Sequence, residues 1–211
     1  MPNHVFQTAT LTIADPDVRA TIVGLAEKGE SIIKHYFPLP ADASKLVTTN
    51  DGTTFSAFSD TGHNTAIELW GTKWADYDVA LQDVVDNCVT VSFSSAWGPA
   101  DIGLARVADL LDIHITLEWQ EEQPSDIGAA IIDGKKGVVW SLQYYGDKLD
   151  EALARLGATP YPEQDDIDAI DPETAMSPLD TYYENSSDAV SAVRDELYNE
   201  MEKHLSLPLS A

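Results

Sequence analysis

Basic residues are scarce in this sequence. Its 211 residues include 12 Lys or Arg and 36 Asp or Glu, which gives a net charge of −24. Because phosphate contacts need Lys and Arg, we expect no direct binding to nucleic acid and no binding to anionic membranes. Two explanations of the acidity remain open. One is a solvated surface that keeps the protein soluble, and the other is a surface that imitates a phosphate backbone or steers the protein to a basic partner.

Cysteine and long apolar runs are also scarce. The single cysteine, Cys88, excludes an internal disulfide and fits a reducing cytoplasm. It begins an alternating apolar run, so we interpret it as a buried small hydrophobic residue and not as a nucleophile. There is no apolar run of about 20 residues that could span a membrane, and the N-terminus lacks the basic and apolar regions of a signal peptide. These features predict a cytoplasmic protein.

The residue patterns that carry chemistry are missing too. A nucleophile elbow, a phosphate loop and a dinucleotide fingerprint are absent, and Ser94-Ser95 has no obvious base partner. In the acidic run 163–173, Asp166 and Asp168 fit the first two ligand positions of a calcium loop, but no glycine follows in register. The five histidines have no ligand spacing: His4, His35, His63, His114 and His204. We therefore expect no catalytic residues, no metal and no cofactor, and a protein that is not an enzyme.

Hydrophobic periodicity predicts the elements of the first half. Val5 to Ile13 alternates as a strand, and Asp15-Pro16-Asp17 caps an amphipathic helix that ends at Gly29. Residues 32–44 contain Pro38 and Pro40, which predict an extended connection. Residues 48–64 are polar and contain glycine, so we interpret them as a loop or an irregular hairpin.

The next segments complete a sheet. The pattern predicts a strand followed by a glycine turn over 66–74, a short helix or turn over 76–86, and a central strand over 88–98. Next come a helix opened by Pro99 and a strand over 113–122. We expect His114 in this strand to point away from the core. A hairpin with Asp133-Gly134 at its turn comes last. The order is β-α-β-β-α-β plus a hairpin, which predicts an α+β, ferredoxin-like (split βαβ) antiparallel sheet with helices on one face.

The tryptophans fit such a sheet. Stacking on nucleic-acid bases normally requires basic neighbours, and these residues have few. We therefore interpret all five as core and sheet-edge packing: Trp70, Trp74, Trp97, Trp119 and Trp140.

The composition changes near the end of the chain. After a closing helix over 147–156, residues 158–186 contain four prolines and eight acidic residues but no Lys or Arg, which is typical of an extended linker. Ser187-Asp188 then caps a predicted helix with an apolar stripe of Val190, Val193, Leu197 and Met201. The stripe could pack on the body or on a second subunit of a homo-oligomer. The predicted organisation is a domain over 1–157, an acidic linker over 158–186, and a helix with a tail over 187–211.

Four short motifs in the body resemble one known family. They are Met1-Pro2-Asn3, Pro38-Leu39-Pro40, Leu69-Trp70-Gly71-Thr72-Lys73-Trp74 and Ala96-Trp97-Gly98-Pro99. Over about residues 1–145 they resemble the YubB-type ferredoxin-like domain of phage and plasmid proteins. The resemblance implies a ferredoxin-like fold, a mobile-element origin and hence a bacterial host cytoplasm. It implies no particular activity.

The last residues contain a second motif. The hexapeptide resembles the bacterial sliding-clamp-binding motif Q-L-S-L-P-L and consists of His204, Leu205, Ser206, Leu207, Pro208 and Leu209. Five of its six positions match the motif, and His204 is the exception. In such a motif Leu207 and Leu209 enter an apolar pocket, and Pro208 lowers the ordering cost of the extended peptide. His204, in place of Gln, would supply the polar end.

Two hypotheses of function follow. The first is a phage-type protein that binds the beta sliding clamp of bacterial DNA polymerase III and so inhibits or redirects replication. The alternative is an acidic DNA mimic that inhibits a host defence nuclease or another DNA-binding enzyme. The terminal leucines have one further interpretation, which does not involve a clamp. The tail would then dock on its own domain or on a second copy of the chain.

Overall fold

The structure is a computed structural model that describes residues 3–39, 46–48, 54–56, 63–122, 126–155 and 178–205. The chain divides into two compact units. The first unit comprises residues 1–123 and 129–141, and the second comprises residues 124–128 and 142–211. Two strands of the sheet, over 126–133 and 137–145, therefore contribute residues to both units.

The described strands form a large sheet and a small hairpin. Their bounds are β1 His4–Thr12, β2 Leu46–Thr48, β3 Thr54–Ser56, β4 Tyr77–Val85, β5 Cys88–Ala96, β6 His114–Glu121, β7 Asp126–Asp133 and β8 Gly137–Tyr145. The large sheet has the order β4-β5-β1-β6-β7-β8, and β2 pairs with β3. The pairs β4–β5, β5–β1 and β1–β6 are antiparallel. The part β4-β5-β1-β6 of this order is the split βαβ arrangement, so the predicted α+β, ferredoxin-like class is confirmed.

Six helices accompany these strands in the described residues. Their bounds are α1 Pro16–Glu27, α2 Ile32–Tyr36, α3 His63–Trp70, α4 Asp101–Leu111, α5 Asp147–Arg155 and α6 Pro178–Leu205. The side chain of Asp15 accepts hydrogen bonds from the N–H groups of Asp17 and Val18, so the predicted cap of α1 is confirmed.

The core of the first unit lies on one face of the sheet. Val5, Ala9 and Leu11 of β1 point into it, whereas the alternate residues Phe6 and Thr8 are exposed. Helices α1 to α4 contribute their buried apolar residues to the same cluster: Ile22, Leu25, Ala26, Ile32, Ile33, Ala66, Trp70, Leu104, Val107 and Ala108. The prediction of helices on one face is therefore confirmed for this unit.

Three predicted elements are wrong. Residues 63–70 form α3, not part of a strand, because Ala66 and Trp70 are buried one turn apart. Residues 77–85 form the edge strand β4 and not a helix or turn. Residues 32–36 form α2 and not part of an extended connection, whereas residues 40–45 lie outside the described residues. The paired strands β2 and β3 agree with the irregular-hairpin alternative for 48–64.

The hairpin that joins β7 and β8 needs its glycine. The N–H of Gly134 donates to the carbonyl oxygen of Ile113 at 3.1 Å. A Cβ atom at Gly134 would lie 2.3 Å from the carbonyl oxygen of Ala108. Because that neighbour is backbone, only glycine fits, and the predicted Asp133-Gly134 turn is confirmed.

Two single-residue expectations on the outer face of the sheet had different outcomes. His114 is exposed, as predicted, with its Nδ1 3.6 Å from a carboxylate oxygen of Asp133. Cys88 is half-buried and not buried, because its position on β5 alternates with the core position Val89. Its Sγ lies 3.7 Å from the hydroxyl oxygen of Thr12.

The second unit contains α5 and α6, which contact each other. The predicted stripe of Val190, Val193, Leu197 and Met201 is buried within the single chain. On α5 the apolar residues Leu149, Ala152 and Leu153 are likewise buried. The start predicted for α6 is wrong: the helix begins at Pro178, so residues 178–186 are helical and not linker. Residues 156–177 lie outside the described residues.

Candidate functional site

The sequence places the candidate site in residues 204–209, of which the structure describes the first two. His204 and Leu205 are the last residues of α6, and Ser206, Leu207, Pro208 and Leu209 lie outside the described residues. Leu205 follows Leu197 and Met201 at intervals of four residues, so it continues the buried stripe. Its side chain is nevertheless 50% exposed, whereas Leu197 and Met201 are buried. Packing of the stripe therefore ends before the last turn of the helix.

A clamp-type peptide is extended, whereas His204 and Leu205 are helical here. Binding would therefore require the last turn of α6 to unwind. The final four carbonyl groups of a helix have no partner within it, so its end frays more easily than its centre. The exposed position of Leu205 also means that unwinding exchanges little apolar contact for water.

The described surface of α5 and α6, hereafter the acidic face of the second unit, carries more acidic than basic side chains. Burial of the stripe directs other residues of α6 to the surface, including Asp188, Asp195 and Glu202. The exposed residues of α5 include Asp147 and Asp150. This arrangement offers carboxylates to a basic partner without burying them.

A second cluster, which the sequence analysis did not identify as a site, lies in the first unit. Two turns meet there: residues 71–76 join α3 to β4, and residues 96–100 join β5 to α4. The side chains of this cluster, hereafter the tryptophan site, are His4, Lys73, Trp74, Tyr77 and Trp97.

Buried polar groups hold the turn at 96–100. Gln7 is buried in the core face of β1, where its Nε2 donates to the hydroxyl oxygen of Ser95 at 2.6 Å. Its Oε1 accepts the N–H of Ala100 at 2.9 Å, and the Ser95 hydroxyl donates to the carbonyl oxygen of Gly98 at 2.5 Å. A satisfied network of this kind rigidifies the backbone that it joins.

The same turn forces Trp97 into an unusual conformation. Its φ is 70°, in the left-handed region that residues with a side chain rarely adopt. The N–H of Trp97 donates to the carbonyl oxygen of Asn3 at 3.0 Å, which fixes the backbone there. The indole side chain is 53% exposed. Such strain persists only where the surroundings impose it, and it concentrates at functional sites.

The turn at 71–76 is joined to the first turn. The hydroxyl of Thr72 donates to the carbonyl oxygen of Ala96 at 2.5 Å. The hydroxyl oxygen also lies 3.3 Å from the carbonyl oxygen of Trp74. Gly71 has a φ of 79°, and a Cβ atom there would lie 3.0 Å from the Cβ of Ile102. The W-G-T-K-W sequence therefore folds into a turn in which glycine adopts a conformation that is strained for other residues, and the threonine of this turn joins it to the end of β5.

Asp76 completes this turn and has a structural role. Its carboxylate accepts hydrogen bonds from the Ser31 hydroxyl and from the N–H groups of Ile32 and Ile33 at the start of α2. Burial raises the pKa of Asp76 from 3.8 to about 6, against the opposing effect of these hydrogen bonds and of Lys34. Because all its partners belong to the cap of α2, the raised pKa reflects burial and not catalysis.

The rings of the tryptophan site surround one cation. The ammonium nitrogen of Lys73 lies 4.6 Å from the ring centroid of Trp97 and 5.5 Å from that of Trp74. Both distances are within the range of cation–π attraction. Trp74, which is 36% exposed, meets Tyr77 edge to face at 6.2 Å.

Tyr77 connects these rings to His4. Its hydroxyl oxygen is 2.5 Å from Nδ1 of His4 and donates to the carbonyl oxygen of Ser95 at 3.2 Å. Burial, followed by the charges of Asp78 and Glu122, raises the pKa of Tyr77. The site therefore lies beside two exposed carboxylates.

The prediction that the five tryptophans serve as core and sheet-edge packing is right for Trp70 and Trp119 in the core, agrees with Trp140 on the edge strand β8, and is wrong for Trp74 and Trp97. Trp70 and Trp119 are buried, but Trp74 and Trp97 are exposed and Trp140 is partly buried. The sequence did contain one signal of this site, because Lys73 lies next to Trp74 in a glycine-containing motif and Trp97 belongs to a second such motif. Which rings Lys73 contacts depends on turns more than 20 residues apart in the sequence.

Two kinds of feature are absent from the described residues. No group of three or more His, Cys, Asp or Glu side chains there is arranged to hold a metal ion. No described helix is both long and apolar enough to cross a membrane. The acidic run 163–173 lies outside these residues.

Comparisons with known proteins add little to this description. No family model matches the chain, and no curated protein matches it. The chain is similar to the crystal structure of the protein api92 from Yersinia pseudotuberculosis, whose family model is DUF1281. The TM-score is 0.45 and the identity 12%, over 69% of this chain and 99% of that one. At these values the likeness carries no argument about function, and the fold class stated above follows from the strand order.

Proposed function

We propose that this chain is a non-enzymatic, phage-type protein that binds the beta sliding clamp of bacterial DNA polymerase III through residues 204–209. The observation that supports the proposal most directly is the half-exposed Leu205 at the end of α6. A helix that buries its stripe up to Met201 and leaves the next leucine outside presents an apolar end to a partner.

Binding requires the last turn of α6 to open and the tail to extend. Leu207 and Leu209 then fill the apolar pocket of the clamp, Leu205 covers the adjacent groove, and Pro208 restricts the backbone before binding. His204 supplies a donor and an acceptor at the polar end. Occupation of the pocket displaces the polymerase and other proteins that use it, so replication is inhibited or redirected.

The acidic face of the second unit favours one alternative function. The exposed carboxylates of α5 and α6 are directed outward by the buried stripe, and such a surface suits an inhibitor that imitates DNA. Inhibition of a host defence nuclease or another DNA-binding enzyme by this face would weaken with salt and would not need the tail.

The test is surface plasmon resonance on an immobilised bacterial sliding clamp. We expect the intact protein to bind, and the form truncated after Lys203 not to bind. Leu207→Ala with Leu209→Ala should weaken binding roughly a hundredfold or more, because two anchors are removed. Leu110→Ala is the matched control, since Leu110 is a leucine on α4 that is 57% exposed and lies outside the tail.

Two outcomes would contradict the proposal. Equal binding by the intact and truncated proteins would assign clamp contact to another surface. Absence of binding by both would leave the tail as a segment that docks on its own chain or on a second copy. Inhibition of a DNA-cleaving enzyme by the truncated protein would then support the acidic alternative.

A further inference from the structure

The tryptophan site has three properties that together indicate a ligand. Two indole rings and a tyrosine are assembled by turns of irregular geometry, the rings of Trp74 and Trp97 are exposed, and a cation already lies over both of them. None of these features is needed for the core of the first unit, because Trp70 and Trp119 fill that role.

The electrostatics select the sign of the ligand. Lys73 supplies the positive charge among the five side chains of the site, whereas Asp78 and Glu122 are close enough to influence Tyr77. The chain as a whole carries a net charge of −24. An anionic ligand would approach against this field, and a cationic ligand would approach with it.

We propose that the tryptophan site binds a cationic side chain, an arginine or a lysine, from a basic segment of a partner protein. The cation stacks on the exposed faces of Trp97 and Trp74. A guanidinium group suits the site best, because it is planar and weakly hydrated and stacks on aromatic faces. The carboxylates of Asp78 and Glu122 attract neighbouring basic residues of the same segment.

Lys73 acts in this site as an internal competitor. Its ammonium group occupies the ring faces of the free protein and must move aside when the partner cation enters. Removal of Lys73 should therefore strengthen the binding of a cation. If the ligand were an anion, the same change would remove the positive contact that the described side chains of the site provide and would abolish binding. The sign of the effect thus separates the two possibilities.

The chain offers a matched control for this substitution. The ammonium nitrogen of Lys34 lies 5.7 Å from the ring centroid of Trp70, which forms a second lysine–tryptophan pair. Trp70 is only 3% exposed, and its indole N–H donates to the carbonyl oxygen of Phe37. Lys34→Met therefore makes the same change in charge and removes the same kind of contact, but it exposes no ring face to a ligand.

The experiment is a titration of the full chain with N-acetyl-arginine amide, observed through the indole N–H resonances of Trp74 and Trp97. We expect saturable shifts of both resonances, and no shift with the neutral analogue N-acetyl-citrulline amide. Lys73→Met should lower the half-saturation concentration roughly two- to fivefold, the range that a cation–π contact at an exposed position gives. Lys34→Met should leave it unchanged.

A second variant tests the rings themselves. Trp97→Leu keeps an apolar side chain but removes the aromatic face, and the shift of the Trp74 resonance should then disappear. The remaining amide spectrum shows whether the variant is folded. A persisting Trp74 shift in the folded variant would overturn the proposal.

Other outcomes identify other ligands and also overturn the proposal. Weaker binding by Lys73→Met, together with saturable shifts on addition of inorganic phosphate, would identify an anion site. Shifts with tetramethylammonium chloride but not with N-acetyl-arginine amide would identify a site for a free quaternary ammonium ion. The site lies in the first unit and its test does not involve residues 204–211, so it is independent of clamp binding.

Discussion

The two units carry similar net charges on very different lengths of chain. The first unit has 136 residues with 19 acidic and 8 basic side chains, a net charge of −11. The second has 75 residues with 17 acidic and 4 basic side chains, a net charge of −13. Self-repulsion opposes folding more strongly where charge is dense. The second unit therefore depends more heavily on its apolar contacts and on the ionic strength.

The interiors of the units differ in a matching way. The first unit buries polar side chains that are paired with each other or with backbone, among them Gln7, Thr72 and Ser95. In α5 and in residues 188–205 of α6, where burial is described, the buried residues are all apolar. Polar networks cost desolvation but specify backbone geometry, and here they fix the turns of the tryptophan site. The apolar stripe of α6 fixes one face of the helix up to Met201, whereas Leu205 in the last turn is half-exposed.

The largest expected effect concerns the stripe of α6. Leu197 is 3% exposed, so Leu197→Ala should lower the free energy of unfolding of the second unit by about 3 kcal/mol through lost burial and the resulting cavity. Hydrogen exchange should show loss of protection in α5 and α6, while the amides of β1 and β5 keep theirs.

Asn199→Ala is the control for this substitution, because Asn199 lies two positions along the same helix and is exposed. It should leave protection unchanged. Equal loss of protection in β1 and β5 of Leu197→Ala would show that the two units unfold together. The two units would then differ in composition but would not differ in stability.

A second effect of similar size belongs to the first unit and depends on pH. Burial raises the pKa of Asp76 to about 6, so the folded state binds this proton more tightly than the unfolded state. The contribution of Asp76 to stability is therefore fully present below its ordinary pKa of 3.8 and is lost as the pH rises through about 6. The change is about 3 kcal/mol.

The measurement is urea unfolding of the wild type and of Asp76→Asn between about pH 4 and pH 7. Because Asn does not titrate, the wild type should lose about 2 kcal/mol relative to the variant across this range, which covers most of the full change. A difference between the two proteins that stays constant with pH would show that the capped carboxylate is not destabilised by its burial.

The fold class could be predicted because β1, β5 and β6 alternate clearly, α1 carries a local cap, and α4 carries a buried apolar stripe. The misassigned segments lack such local signals. β4 is an edge strand with two register shifts, and among its residues only Val79 is buried, so its alternation is lost. Only five residues long, α2 is capped partly by Asp76, more than 40 residues away in the sequence. No local pattern reveals a cap of this kind.

The candidate sites differ in the same respect. The hexapeptide at 204–209 is a contiguous motif, so its residues can be recognised without a structure. The motif does not, however, predict that His204 and Leu205 are helical. The tryptophan site combines β1, the turn at 71–76 and the turn at 96–100. Its cation–π contacts exist only after those turns meet, and the sequence alone assigns its tryptophans to core and sheet-edge packing.

The smallest expected effect compares one ion pair from each unit. In the second unit, Arg155 donates two hydrogen bonds to Glu196, at 2.9 Å and 2.8 Å. The hydrogen bond from Arg155 lowers the pKa of Glu196, so the pair contributes above the ordinary pKa of that carboxyl and is lost as the pH falls. In the first unit, Lys135 and Asp112 form an exposed pair at 3.0 Å.

Double-mutant cycles with Arg155→Gln and Glu196→Gln, and with Lys135→Gln and Asp112→Asn, isolate each coupling from the surrounding charge. The coupling of the bidentate pair should exceed that of the single contact at low salt, because two parallel charge-assisted hydrogen bonds define its geometry. Since both pairs are exposed, both couplings should fall toward zero in about 1 M NaCl. A coupling of Arg155 with Glu196 that persists at high salt would mean that this pair, and not the stripe alone, joins α5 to α6. Polar contacts would then hold elements together in the second unit, as they do in the turns of the first unit.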